Sequence, residues 1–232
     1  MNKIVPTLKE ALADVNDGAV VLIGGFGGNG NPFNLIDELV RQGARNLTVI
    51  CNDFSQWGPL VMNRQVRRLI SGFTAHPLRP EYGKAVEEQM AEGIIEEAIT
   101  VPHGTLEERI RAGGMGIAAF YTPTGGGTAG EEGKEKRVFE GKEYILETAI
   151  RADFALVKGF KADRYGNVVC RLSARNRNVI MATAARVTVA EVEHIVELGE
   201  LDPEHIHIPG IFINRVVKAP KVSKWLIGHE KI

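Results

Sequence analysis

Apolar and polar positions alternate in blocks along the first half of the chain. Val20–Ile23 has no polar residue, as expected of a strand covered on both faces, and Leu47–Cys51, Val66–Ser71 and Ala98–Val101 are read as three further strands. Between them lie helical stretches. Thr7 and Glu10 have the spacing of a capping box for a first helix to about Val15, and Pro32 opens a second over Phe33–Val40 that Gly43 closes. Pro80–Glu92 places Tyr82, Val86 and Met90 on one helical face, and Thr105 with Glu108 would cap another helix ended by Gly113-Gly114. Strands alternating with helices predict an α/β fold, a mostly parallel sheet with helices on both faces. Beyond Phe120 the character changes. Gly125–Gly133 reads as a flexible loop and Arg137–Leu146 as a hairpin turning near Gly141-Lys142. Ala152–Lys158 reads as a buried strand, Arg175–Ala185 as a helix and Val187–Val192 as a strand. No internal repeat or clear linker interrupts the pattern, so residues 1–232 are expected to form a single domain.

The first strand runs into Gly24, Gly25, Gly27, Gly28 and Gly30, and then into the proline-started helix. Glycines here permit positive φ and close approach of a ligand to the backbone, and the N–H groups of the following helix terminus favour negative charge. A tight strand-to-helix turn without a ligand is the alternative. A dinucleotide site fits less well: G-x-G-x-x-G can be read at Gly25, Gly27 and Gly30, but Asn31-Pro32 cuts the loop short. No Gly-Lys-Ser/Thr follows, which excludes a P-loop.

At 232 residues, 44% hydrophobic and 25% charged, the chain can bury a large core. A net charge of −1 gives no electrostatic reason to expect nucleic acid or an anionic membrane surface. Cys51 and Cys170 are far apart, and reduced, buried thiols are expected rather than a disulfide or a metal site. Neither a signal peptide nor a membrane-spanning run is read, so a cytoplasmic location is expected.

The segment D-G-A-V-V-L-I-G-G-F-G-G-N-G-N-P at Asp17–Pro32 resembles the signature of the family I coenzyme A transferases. So do T-L-E-E-R-I-R-A-G-G-M-G at Thr105–Gly116, F-Y-T-P-T-G at Phe120–Gly125 and A-D-F-A-L-V-K at Ala152–Lys158. L-G-E-L-D-P-E-H-I-H-I-P-G-I-F at Leu198–Phe212 is similar to the A (alpha) subunit of the 3-oxoacid and 3-oxoadipate type. The resemblance spans nearly the whole chain. It implies a three-layer α/β sandwich and transfer of CoA from a donor such as succinyl-CoA or acetyl-CoA to a carboxylic acid. Coenzyme A is then a co-substrate, with no permanently bound cofactor. In the family the nucleophilic glutamate lies in an S-E-N-G type motif of the B subunit, which this chain lacks. The chain is therefore expected to form a heterodimer or heterotetramer with a B subunit.

The resemblance also points to candidate residues. A side-chain amide directly before G-T-L donates to the oxyanion in the family, and the aligned residue here is His103, followed by Gly104. An exposed loop histidine is the alternative. Asn52 and Asp53 end the second strand, where open α/β sheets place ligands, although Asn-Asp is also ordinary turn chemistry. The family usually has two asparagines there, and Asp53 would repel an anionic acid unless paired. Phe26 would line the acyl channel or pack the turn. Within S-G-F-T-A-H-P-L-R-P-E-Y, where relatives have a shorter turn, His76 and Arg79 could reshape the acyl pocket, and an arginine suits a second carboxylate. Gly125–Gly127 with Thr128 could form a second anion-binding loop. Two other functions use related architectures: a CoA-ester hydrolase, for which Glu81 is the carboxylate to watch, and a ligand-sensing or sugar-phosphate-binding protein.

Overall fold

The computed structural model describes residues 2–76 and 79–219. In chain order its elements are α1 (Leu8–Ala11), β1 (Val20–Ile23), α2 (Phe33–Gln42), β2 (Leu47–Cys51), α3 (Phe54–Met62), β3 (Val66–Ser71) and α4 (Pro80–Ala91). There follow β4 (Glu97–Thr100), α5 (His103–Met115), β5 (Ala119–Thr122), β6 (Lys136–Phe139), β7 (Lys142–Thr148) and β8 (Ala152–Ala162). β9 (Val168–Val169), α6 (Asn178–Met181), β10 (Ala185–Ile195) and β11 (Arg215–Lys218) follow within the described residues.

The main sheet has the order β11-β10-β8-β1-β2-β3-β4, every neighbouring pair parallel, with β9 antiparallel to β8. A parallel sheet must be covered on both sides, and every residue of β2 is buried. Side chains of α2, α3 and α4, among them Leu39, Trp57 and Val86, pack on one face. On the other, Leu106 and Ile110 of α5 join Met181 of α6. Full burial of one such aliphatic side chain contributes about 1.5–3 kcal/mol. The chain winds outward from β1 in both directions, and its switch point lies between β1 and β8, where Ile23 is in register with Leu156. Ligands in open α/β sheets bind at such points, beyond the carboxyl ends of the strands.

A separate antiparallel sheet, β5-β7-β6, contains the expected hairpin. Its turn centres on Glu140 and Gly141, both at positive φ (51° and 75°), one residue earlier than the sequence suggested. Glu147 of β7 is buried against Arg109 of α5 and Lys134, which ties this sheet to the main body.

Four helical expectations are corrected. The first helix ends at Ala11 rather than near Val15, although Thr7 caps it by accepting the Glu10 N–H at 3.1 Å. α5 begins at His103 behind Pro102, with no side-chain cap; Glu108 pairs with Arg111 instead of closing a box with Thr105. Gly113 and Gly114 lie inside α5, not at its end. A Cβ on Gly113 would meet the Ile150 carbonyl oxygen at 1.8 Å and one on Gly114 the Thr183 Oγ1 at 2.1 Å, so both glycines serve close packing and Gly116 forms the left-handed cap. The helix read over 175–185 is only α6, because the backbone turns at Asn176 and the Asn178 side chain bonds Lys158 N–H and the Gly30 and Ala174 carbonyls.

Candidate active site

The glycine-rich loop after β1 is a small hairpin. Phe26 and Asn29 exchange both backbone hydrogen bonds (3.0 and 2.9 Å), and Gly27 and Gly28 fill the turn at φ 57° and 82°. Behind it the Gln56 side chain donates to the carbonyls of Ile23, Gly24 and Gly25. Gly25 has no room for a side chain, since a Cβ would lie 1.9 Å from Asn31 Oδ1.

Asp53 is paired on both oxygens. Oδ1 accepts the Ser55 N–H at 2.9 Å and the Ser55 hydroxyl, which makes Asp53 the N-cap of α3. Oδ2 accepts the Gly27 N–H at 3.0 Å and the Asn52 side-chain amide. Asn52 and Asp53 therefore stand buried behind the loop, and the carboxylate is spent on shaping it. Asn52 Oδ1 is buried without a hydrogen-bond partner among the described residues.

The helix terminus beyond the loop is likewise occupied from within. Glu191 of β10 accepts the Leu35 N–H at 3.0 Å and the Asn34 amide at 2.8 Å, and pairs with Lys158 at 3.1 Å. A buried carboxylate thus already holds the positive end of α2. In the same way Glu131 takes the Gly127 N–H of the second glycine loop at 2.6 Å, while the Thr128 hydroxyl donates to the Gly125 carbonyl.

His103, the first residue of α5, has its ring between Phe26 and Phe73, at centroid distances of 5.3 and 5.0 Å. Gly72 makes room for it: a Cβ there would come within 2.3 Å of the imidazole. Arg177, just before α6 and only 2% exposed, places Nη2 2.9 Å from His103 Nδ1. The same guanidinium pairs with Glu107 and lies 5.6 Å from the Phe26 ring centroid. Burial and the Arg177 charge lower the proton affinity of His103 below its ordinary value, and Asp53 opposes them only in part. Burial raises the Glu107 carboxyl, against the pull of Arg177.

His103 opens on a cavity of about 780 Å³ between β4, the Gly125–Lys134 loop and β7. A smaller one of about 220 Å³ separates Gly28–Asn31 from Arg171–Ala174. The structure therefore brings Phe26, the glycine loop, Asn52, Asp53, His103 and Gly104 together. It sets His76 and Arg79 at the approach to α4: His76 lies 4.5 Å from the Phe54 ring, and Arg79 pairs with Glu81 at 3.1 Å and faces Tyr82. Neither lines the cavity beside His103. Exposed Glu81 is held below the usual carboxylate range by its own backbone N–H and by Arg79. Arg177 was missed from the sequence. Cys51 and Cys170 are both buried free thiols, as expected, and burial raises Cys170 to about 11.

Residues 5–219 match the coenzyme A transferase family. A relative in Helicobacter pylori, the A subunit of a succinyl-CoA:3-ketoacid coenzyme A transferase, is 45% identical over 97% of this chain and 95% of its own length. The chain belongs to the coenzyme A transferase family. The A subunit of the 3-oxoadipate CoA-transferase of Acinetobacter baylyi is 47% identical over 94% of this chain and 95% of that protein. Among solved structures, glutaconate coenzyme A-transferase from Acidaminococcus fermentans shares the fold, with a TM-score of 0.82 and 21% identity over 94% of this chain and 76% of that one. An acyl-CoA transferase from E. coli O157:H7 also aligns, with a TM-score of 0.80 and 21% identity; 96% of this chain spans 48% of its length. CoA transfer is thus the activity of the family to which this α/β chain belongs.

Proposed function

We propose that the chain is the A subunit of a heteromeric transferase that moves CoA from an acyl-CoA such as succinyl-CoA or acetyl-CoA to a 3-oxoacid or other short-chain acid. The observation that carries this reading is the placement of His103. It stands at the carboxyl end of the sheet, beside the glycine loop and on the wall of a cavity, with Nδ1 occupied by Arg177 and no hydrogen-bond partner to Nε2 among the described residues.

The chemistry requires such a group. A carboxylate from the partner chain attacks the thioester carbonyl, and the carbonyl oxygen becomes an oxyanion before CoA thiolate leaves and a mixed anhydride remains. Thiolate then attacks the glutamyl carbonyl of that anhydride, releases the donor's acid and forms a glutamyl-CoA thioester. The acceptor carboxylate attacks this thioester, and the same two steps run in reverse order to deliver acyl-CoA and restore the glutamate. Each attack places negative charge on a carbonyl oxygen, and one fixed donor there contributes about 3 kcal/mol. His103 supplies that donor from this chain. Phe26 and Phe73 pack against its ring, and the glycine loop lets the thioester approach the backbone.

The test is to co-express the chain with its B partner and to follow CoA exchange from succinyl-CoA and acetyl-CoA to a panel of acids by mass spectrometry. The complex should form new acyl-CoA and the chain alone should form none; activity of the chain alone would overturn the assignment.

A further inference from the structure

The hydrogen bond between Arg177 and His103 decides where the imidazole proton sits. A guanidinium has five donors and no acceptor, so a nitrogen 2.9 Å from Arg177 Nη2 presents its lone pair. His103 Nδ1 is therefore unprotonated, and the single proton of the neutral ring lies on Nε2, the nitrogen that is not held by Arg177.

Three further features keep the ring in that state. His103 is the first residue of α5, where the positive end of the helix disfavours an imidazolium. The Arg177 charge acts in the same direction. Arg177 cannot swing away, because Glu107 pairs with it from one turn along α5 and the Phe26 ring lies against it. Among the described residues, Arg177 before α6 and Asp53 at the start of α3 act on the imidazole, and Glu107 on α5, Cys51 at the end of β2 and Asp53 act on the guanidinium that holds it. Of these groups Asp53 attracts a proton to His103, and it is already bonded to Ser55, Gly27 and Asn52.

We propose that Arg177 is a positioning residue that fixes His103 as a one-proton donor, with Nδ1 occupied and Nε2–H directed to the reacting carbonyl oxygen; this rests on the reading of His103 as the oxyanion donor. A neutral imidazole held in this way does the work of a side-chain amide. An imidazolium would also bind the carboxylate groups of the free acids, which stabilises ground and transition states alike and does not raise turnover.

The experiment uses the complex with the B partner. Arg177→Met is combined with Glu107→Gln, so that no carboxylate is left buried and unpaired. Turnover should fall on the order of tenfold while KM for acyl-CoA changes less than about twofold, as expected for a misdirected donor. The pH profile of kcat should gain a titration near about 6.5 that the unaltered complex lacks, because the histidine returns towards its ordinary proton affinity. Arg177→Lys, which keeps a charge and a donor, should recover part of the turnover and flatten the profile. In a His103→Gln background the paired Met and Gln substitutions should change kcat less than about twofold, since the amide needs no tautomer to be chosen.

An unchanged pH profile, or an equal loss in the His103→Gln background, would overturn the role of Arg177 even where His103→Ala is strongly impaired. Unimpaired turnover in His103→Ala would instead remove the oxyanion reading itself. If the paired variant does not assemble with its partner, Arg177→Lys alone decides: a flat profile with partial turnover supports the proposal, and a fall that His103→Gln does not abolish contradicts it.

Discussion

Asp53 Oδ2 accepts the Gly27 N–H at 3.0 Å, so the carboxylate that starts α3 also holds the tip of the glycine loop. One side chain thereby sets the position of two segments beyond the carboxyl ends of β1 and β2. Removing it should act on both. Asp53→Ala is expected to destabilise the protein by about 2 kcal/mol or more, roughly 1 from the helix cap and at least as much from the uncompensated Gly27 and Asn52 donors. Urea unfolding of the complex checks this, and an effect below about 0.5 kcal/mol would show that the pairing carries no weight.

The glycines of the loop should not be equivalent. A methyl group on Gly25 meets Asn31 Oδ1 at 1.9 Å at a φ of 104°, whereas one on Gly27 meets nothing within 4 Å at a φ of 57°. Gly27→Ala should therefore cost about 1 kcal/mol, the ordinary strain of a left-handed residue, and Gly25→Ala several times more. Thermal unfolding of the two variants gives the comparison directly.

His103→Ala should lower turnover about 100-fold with a much smaller change in KM for acyl-CoA. His103→Gln should retain a larger part of the activity, because an amide N–H can take the place of Nε2–H. Steady-state kinetics on the assembled complex separates the two variants.

The same histidine sets a pH dependence of stability. Its proton affinity in the folded protein is lowered from 6.5 by burial and by Arg177, so near and below that value the unfolded chain binds the proton more readily than the folded one. The contribution is intact above the unfolded value and is lost as pH falls through the lower, folded one. The stability of the native protein relative to His103→Gln should accordingly decline between about pH 7 and pH 5, which unfolding of both at the two pH values measures.

Much of the scaffold was legible because parallel strands are marked by their own composition. β1, β2 and β3 occupy the residues that the apolar runs predict, and β4 is offset by one residue. α3 was missed because Gly58 and Pro59 lie within it and read as breakers. Yet Gly58 is there for the Tyr82 ring, which would lie 3.1 Å from a Cβ, and the Asp53 and Gln56 capping box was the available signal. The glycine pair in α5 misled in the opposite sense, since close packing against Ile150 and Thr183 requires the same residue as a helix stop. His103 could be singled out by its place before G-T-L. Arg177 could not, because it meets His103 across 74 residues of sequence and only the winding of the sheet joins them.

In the proposed transferase the nucleophile belongs to the partner chain and the oxyanion donor to this one, so the chain to which CoA becomes attached tells the two apart. The complex is incubated with succinyl-CoA, treated with borohydride and analysed chain by chain in a mass spectrometer. The expected result is a CoA-dependent, borohydride-sensitive glutamyl thioester on the B partner, with this chain unmodified and Glu81→Gln without effect. A thioester or acyl group on this chain, abolished by Glu81→Gln, would contradict the account.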